Sequence, residues 1–161
     1  MKPKKTITAL LALILVTGCG ETDCSLTTMS VARFQFLDSQ THKGVTLTQG
    51  VTVTGIATVA DTLQTDTLFN QAKDYMSLPL SYTDETTYVM NYSERMKDTI
   101  WVTHRNIPFV SDIECGAVMH YQVESLQYTT NALDSVTLVN PQITNEERVN
   151  FNIYYRATDA D

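Results

Sequence analysis

Apolar residues recur at every second position along most of this chain, and that spacing restricts it to strands with one face buried. Ala32, Phe34 and Phe36 share one face of the first such segment, and Val51 and Val53 share one face of the next. The alternation slips at Gly55, where a bulge is expected. Met76, Leu78, Leu80 and Tyr82 alternate through Pro79. Proline cannot donate to a sheet ladder, so this segment is expected at a sheet edge or a strand end. The pattern continues through Tyr88, Met90 and Tyr92, then Ile100 and Val102, then Ala117, Met119, Tyr121 and Val123, then Val136 and Leu138. Val149, Phe151, Ile153 and Tyr155 close it, opposed by a polar set of Asn150, Asn152, Tyr154 and Arg156. Threonine, a strand former because of its branched Cβ, is abundant throughout. No segment beyond the first eighteen residues has a helical period. About seven to nine strands separated by turns predict an all-β fold, an antiparallel immunoglobulin-like β-sandwich, with a small β-barrel as the alternative.

The first residues follow a different logic. Lys2, Lys4 and Lys5 precede an unbroken apolar run from Ala9 to Val16. That run is far shorter than the ~20 residues a helix needs to cross a bilayer. Small residues and a cysteine follow it, which is the layout of an export signal. The ending Leu15-Val16-Thr17-Gly18-Cys19 resembles the bacterial lipobox. The resemblance implies cleavage of residues 1–18 and diacylation of the Cys19 sulfur. Two or three acyl chains hold a protein stably on a membrane where one does not. Gly20 follows the cysteine, and by the sorting rule of Gram-negative lipoproteins that favours the outer membrane, on its periplasmic face or at the cell surface. The expected organisation is a short tether over 19–23, one domain over 24–156 and a flexible tail over 157–161.

Charge and cysteines narrow the chemistry. The formal charge of the whole chain is −7, and loss of the three signal lysines takes it to −10. No Lys/Arg cluster survives in the mature part, which argues against nucleic acid as a partner. Lipidation of Cys19 leaves Cys24 and Cys115. In an oxidising compartment such a pair is expected as a disulfide. Closing that loop would stabilise the fold by about 4–5 kcal/mol in the chain-entropy model.

Catalytic constellations are sparse. His42, His104 and His120 are the only histidines, and no Gly-x-Ser-x-Gly occurs. His104 falls on the Ile100/Val102 face near a strand end and is read as a satisfied rim residue; His120 is expected to face solvent. No His-x-His, Cys-x-x-Cys, EF-hand loop or glycine-rich phosphate loop is present, so neither metal nor cofactor is expected. Trp101 lies opposite Ile100 and Val102 by parity, and is a candidate binding residue if exposed or a packing residue if covered.

Asp98-Thr99-Ile100-Trp101-Val102 and the later run from Ile107-Pro108-Phe109-Val110 to Cys115-Gly116 resemble a Bacteroidota lipoprotein family of unknown function. That resemblance implies a lipid-anchored extracytoplasmic domain and transfers no catalytic residues. Asp-Ser/Thr-apolar tripeptides occur at Asp61-Thr62-Leu63, Asp66-Thr67-Leu68, Asp98-Thr99-Ile100 and Asp134-Ser135-Val136, where about one is expected by chance. They are similar to the O-glycosylation sequon of Bacteroidota envelope proteins, which makes Thr62, Thr67, Thr99 and Ser135 candidate glycan sites. An aspartate closing a turn before a strand former explains the same pattern. The expected function is a non-catalytic envelope module with a protein or glycan partner. The alternatives are a glycan-active hydrolase and a small-ligand carrier.

Overall fold

The computed structural model describes residues 29–47, 51–59, 62–71, 73–112 and 116–156. Ten strands fall within them: β1 (Val31–Asp38), β2 (Val51–Val59), β3 (Thr62–Gln71), β4 (Tyr75–Pro79), β5 (Glu85–Asn91), β6 (Lys97–Asp112), β7 (Gly116–Tyr128), β8 (Leu133–Leu138), β9 (Gln142–Ile143) and β10 (Phe151–Tyr155). They form two sheets, ordered β4-β1-β10-β8 and β3-β2-β5-β6-β7-β9. The sheets share one apolar core and pack as the expected sandwich, not as a closed barrel. β1 and β10 run parallel, a departure from an all-antiparallel arrangement that brings the first and last strands together. β4 is an edge strand ending at Pro79, where the missing amide hydrogen is harmless.

The core follows from parity. Ala32, Phe34, Phe36, Val53, Met76, Leu78, Tyr88, Met90, Ile100 and Val102 have no exposed surface. Burying a large apolar side chain contributes roughly 1.5–3 kcal/mol each. Phe34 stacks on Phe151 of the neighbouring strand at 4.5 Å and meets Tyr88 of the facing sheet edge-on at 5.7 Å, so one ring ties both layers. The buried Tyr88 hydroxyl donates to the Pro79 carbonyl oxygen at 2.8 Å, which satisfies its polar end.

Three details differ from the pattern in the sequence. The irregularity expected at Gly55 belongs to β3: Val53 pairs with Phe69 and Thr54 with Thr67, leaving Leu68 as the extra residue. Leu68 lies over Gly55, and a Cβ there would stand 2.7 Å from Leu68 Cδ1, so glycine at 55 makes room for the bulge. Asn150, placed among the outward polar residues, is 2% exposed. Its backbone N–H donates to the Arg33 carbonyl, its side-chain Oδ1 accepts from the Arg33 N–H, and its Nδ2 donates to the carbonyls of Asn140 and Gln142. It therefore links β1 in one sheet to the β9 segment of the other. Leu138 and Ala117, on nominally inward positions, are exposed.

Asp98 opens β6 on the same parity as Ile100 and Val102, and it has no exposed surface. Oδ1 accepts from the Thr129 hydroxyl and the Asn131 amide, each at 2.7 Å, and Oδ2 accepts from the amides of Ala132 and Leu133 at 2.8 and 3.0 Å. These donors lie in the crossing from β7 to β8, which leaves one sheet for the other. Burial pushes the carboxyl pKa up, and the bonds from Asn131, Leu133, Thr129 and Ala132 outweigh it, leaving the group below its ordinary value.

Candidate functional site

β6 and β7 outrun the rest of their sheet. β5 pairs with β6 only as far as Glu85 opposite Thr103, and β9 covers only Tyr121 and Gln122 of β7. Beyond those points the two long strands pair with each other alone, from Ile107 opposite His120 to Asp112 opposite Gly116. Gly116 has φ +79°, a left-handed conformation that glycine adopts without strain. The result is a two-stranded arm. An isolated hairpin is marginal in water, and this one is held as the extension of a wider sheet.

The base of the arm is braced by a buried histidine. His104 is 1% exposed. Asn106 Nδ2 donates to the Tyr82 carbonyl at 2.6 Å, so its Oδ1 faces His104 Nδ1, 2.9 Å away, and accepts. A neutral ring then carries its proton on Nδ1 and accepts at Nε2, 2.8 Å from the Thr86 hydroxyl, which itself accepts from the Ser81 amide. Burial lowers the His104 pKa; the Asn106 bond and the charges of Asp84 and Glu124 oppose that shift without reversing it. The network ties β5, β6 and the β4–β5 turn together. With both nitrogens engaged and the ring covered, His104 fits bracing better than proton transfer to a substrate.

The arm itself is apolar and open. Ile107, Phe109 and Val110 are 41%, 42% and 58% exposed. Pairing places Ile107 beside His120, and Phe109 beside Val118. His120, expected to face solvent, is instead half-covered: Phe109 stacks on its ring at 4.5 Å, and Nε2 is buried without a hydrogen-bond partner. On the other face Met29, Ser30, Tyr82, Ala117, Met119 and Tyr121 line an open concavity of about 220 Å³. Met29 and Tyr82 are strongly exposed there, at 64% and 76%. A second hollow of about 140 Å³, between Gly55, Leu68, Leu80 and Thr86, is well below the ~300–1,000 Å³ of ordinary ligand pockets.

The residues singled out in the sequence do not converge. Cys19, Cys24 and Cys115 lie outside the described residues, as does the side chain of Thr62. Thr67 is exposed on β3 beside the exposed Asp66, whereas Thr99 and Ser135 are half-buried on β6 and β8. The aspartate of the Thr99 tripeptide is the clamped Asp98, unavailable to an enzyme in the folded chain. Trp101 is half-buried on the face of β6 away from the core, paired with Thr87 and Gln127. The exposed arm was not read from the sequence as a site. Its signal is a long stretch with no charge, from Asn106 to Val110 and again from Gly116 to Val123, in an acidic protein.

No group of three or more metal-ligating side chains gathers among the described residues. No curated protein matches the chain, and no solved structure matches it. Residues 50–155, which take in β2 to β10, match a protein-family model. That match spans more than half of the chain, and the protein belongs to the family of unknown function DUF6452.

Proposed function

We propose that this protein is a lipid-anchored, non-catalytic module of the bacterial outer membrane that works by binding or assembly, held at Cys19 and exposing the β6–β7 arm as its working surface. The carrying observation is Ile107 and Phe109 exposed side by side on one face of a strand pair that no other strand flanks among the described residues. Contiguous exposed apolar surface of this kind marks contact sites. The buried ionisable groups His104 and Asp98 are both engaged in holding the fold, which fits a binding role better than a catalytic one.

The same end of the molecule supports the Cys24–Cys115 bond. Met29 and Ser30 share a concavity with Ala117 and Met119, so the residues five after Cys24 and two after Cys115 lie at one end of the described fold. Among the candidate glycan sites, Thr67 has the accessibility that modification of a folded chain requires. Metabolic labelling with a palmitate analogue tests the anchor: wild type is labelled and membrane-bound, and Cys19→Ala loses both. An unlabelled wild-type protein overturns the reading. Crosslinking in intact cells tests the binding role, with a discrete adduct expected from wild type. Recovery of only the uncrosslinked monomer from wild type counts against it.

A further inference from the structure

We infer that the occupant of the β6–β7 arm is the lipid surface itself: the arm lies along the headgroup boundary of the membrane in which Cys19 is anchored. This rests on the reading of Cys19 as the anchor. The first described residue, Met29, is ten peptide steps from Cys19 and sits beside Ala117 and Met119 of the arm. At ~3.3 Å per residue, the arm root can stand no more than ~33 Å from the anchored cysteine. A Cys24–Cys115 bond shortens the tether to five steps and ~17 Å. The part of the domain held closest to the membrane is therefore also the part with exposed apolar side chains.

Charge agrees with that placement. The chain is acidic overall, and like charge opposes approach to an anionic surface. Neither 106–110 nor 116–123 carries Asp, Glu, Lys or Arg, so this face approaches lipid without that penalty. Ile107 and Phe109 bring apolar area to the acyl boundary. Insertion stops at the interface. The arm has unpaired strand edges whose amides need water or headgroups, and the hydrocarbon core supplies neither.

The test uses the full acylated protein reconstituted in phosphatidylcholine vesicles containing brominated acyl chains. Phe109→Trp adds one fluorophore on the arm, and wild type, with Trp101 alone, is the reference. The inference expects roughly twofold quenching of the added emission, as for a side chain at the acyl boundary, with Trp101 little changed. Ile107→Trp repeats the measurement if Phe109→Trp misfolds. Palmitate labelling of the same preparation separates the two failures. Labelled protein whose arm tryptophan is unquenched overturns the lipid contact and leaves the anchor reading intact. Unlabelled protein overturns both. A dimeric mass in detergent, with the arm tryptophan shielded before lipid is added, makes the occupant a second copy of this chain and overturns the inference.

Discussion

At its first turn of pairing β6 holds Asp98, a carboxylate with no exposed surface that accepts four hydrogen bonds. Further along the same strand, Ile107, Phe109 and Val110 stand in solvent with no strand but β7 beside them among the described residues. One end thus buries a charge and satisfies it fully, while the other exposes apolar surface and leaves His120 Nε2 without a partner. A buried carboxylate is retained only where its donors are fixed, so the Asp98 end carries fold stability. Exposed apolar side chains contribute little to folding, so the arm is the place to look for contact with something else. His104 stands at the border of the two regions, closing the braced body just where the arm departs.

The comparison breaks most sharply at Asp98. Asp98→Ala leaves three amides and a hydroxyl without their acceptor in a buried site and is expected to cost about 3–5 kcal/mol, read by urea denaturation. Its folded pKa is depressed, so its contribution is complete above the unfolded value near 4 and is lost as pH falls through the folded value. The acid limb of the stability profile below about pH 4 should therefore be shallower in Asp98→Asn than in wild type. An unchanged midpoint in Asp98→Ala would mean that the β7–β8 crossing is held some other way.

His104→Ala should cost about 2–3 kcal/mol through the lost ring and the stranded Thr86 hydroxyl. The folded pKa of His104 is lowered, so its stabilisation is complete above its unfolded value of about 6.5 and declines as pH falls through the folded value. Wild type should unfold at lower urea at pH 5 than at pH 7.5, and His104→Gln should narrow that difference. Equal narrowing in a His42→Gln control would remove the assignment to His104.

Gly55→Val tests the bulge, since its side chain must displace Leu68 from 2.7 Å. About 1–2 kcal/mol is expected, as for other overpacked sites. Leu68→Ala in the same chain should recover part of it. The smallest effect belongs to the arm: Ile107→Ser with Phe109→Ser should shift stability by no more than about 0.5 kcal/mol each, as at ordinary surface positions. A large thermal shift in that variant would show that the arm is structural and erase the contrast between the two ends of β6.

Much of the sandwich is legible in the residues. The side-chain period of a strand is set by the backbone, so Phe34, Tyr88, Ile100, Phe151 and Ile153 declare their inward face without any partner in view. Parity could also have found Asp98 and Thr86, which share faces with Ile100 and Tyr88 and are buried with them; their polarity concealed it. Asn150 was not recoverable in that way, because its burial comes from a crossing between sheets and not from a strand face.

The sequence by itself determined eight of the ten described strands, β3 and β9 excepted, with their faces and the acidic, threonine-rich composition, because each depends on residues within a few positions of one another. Tertiary structure alone decided which strand lies beside which, including the parallel pairing of Phe34 with Phe151, and that Asp98 finds its donors 31 to 35 residues later. It also decided that Ala117, in phase with the buried Tyr121 and Val123, stays exposed. Alternation specifies which face of a strand is apolar; only the extent of the opposing sheet specifies whether that face is covered.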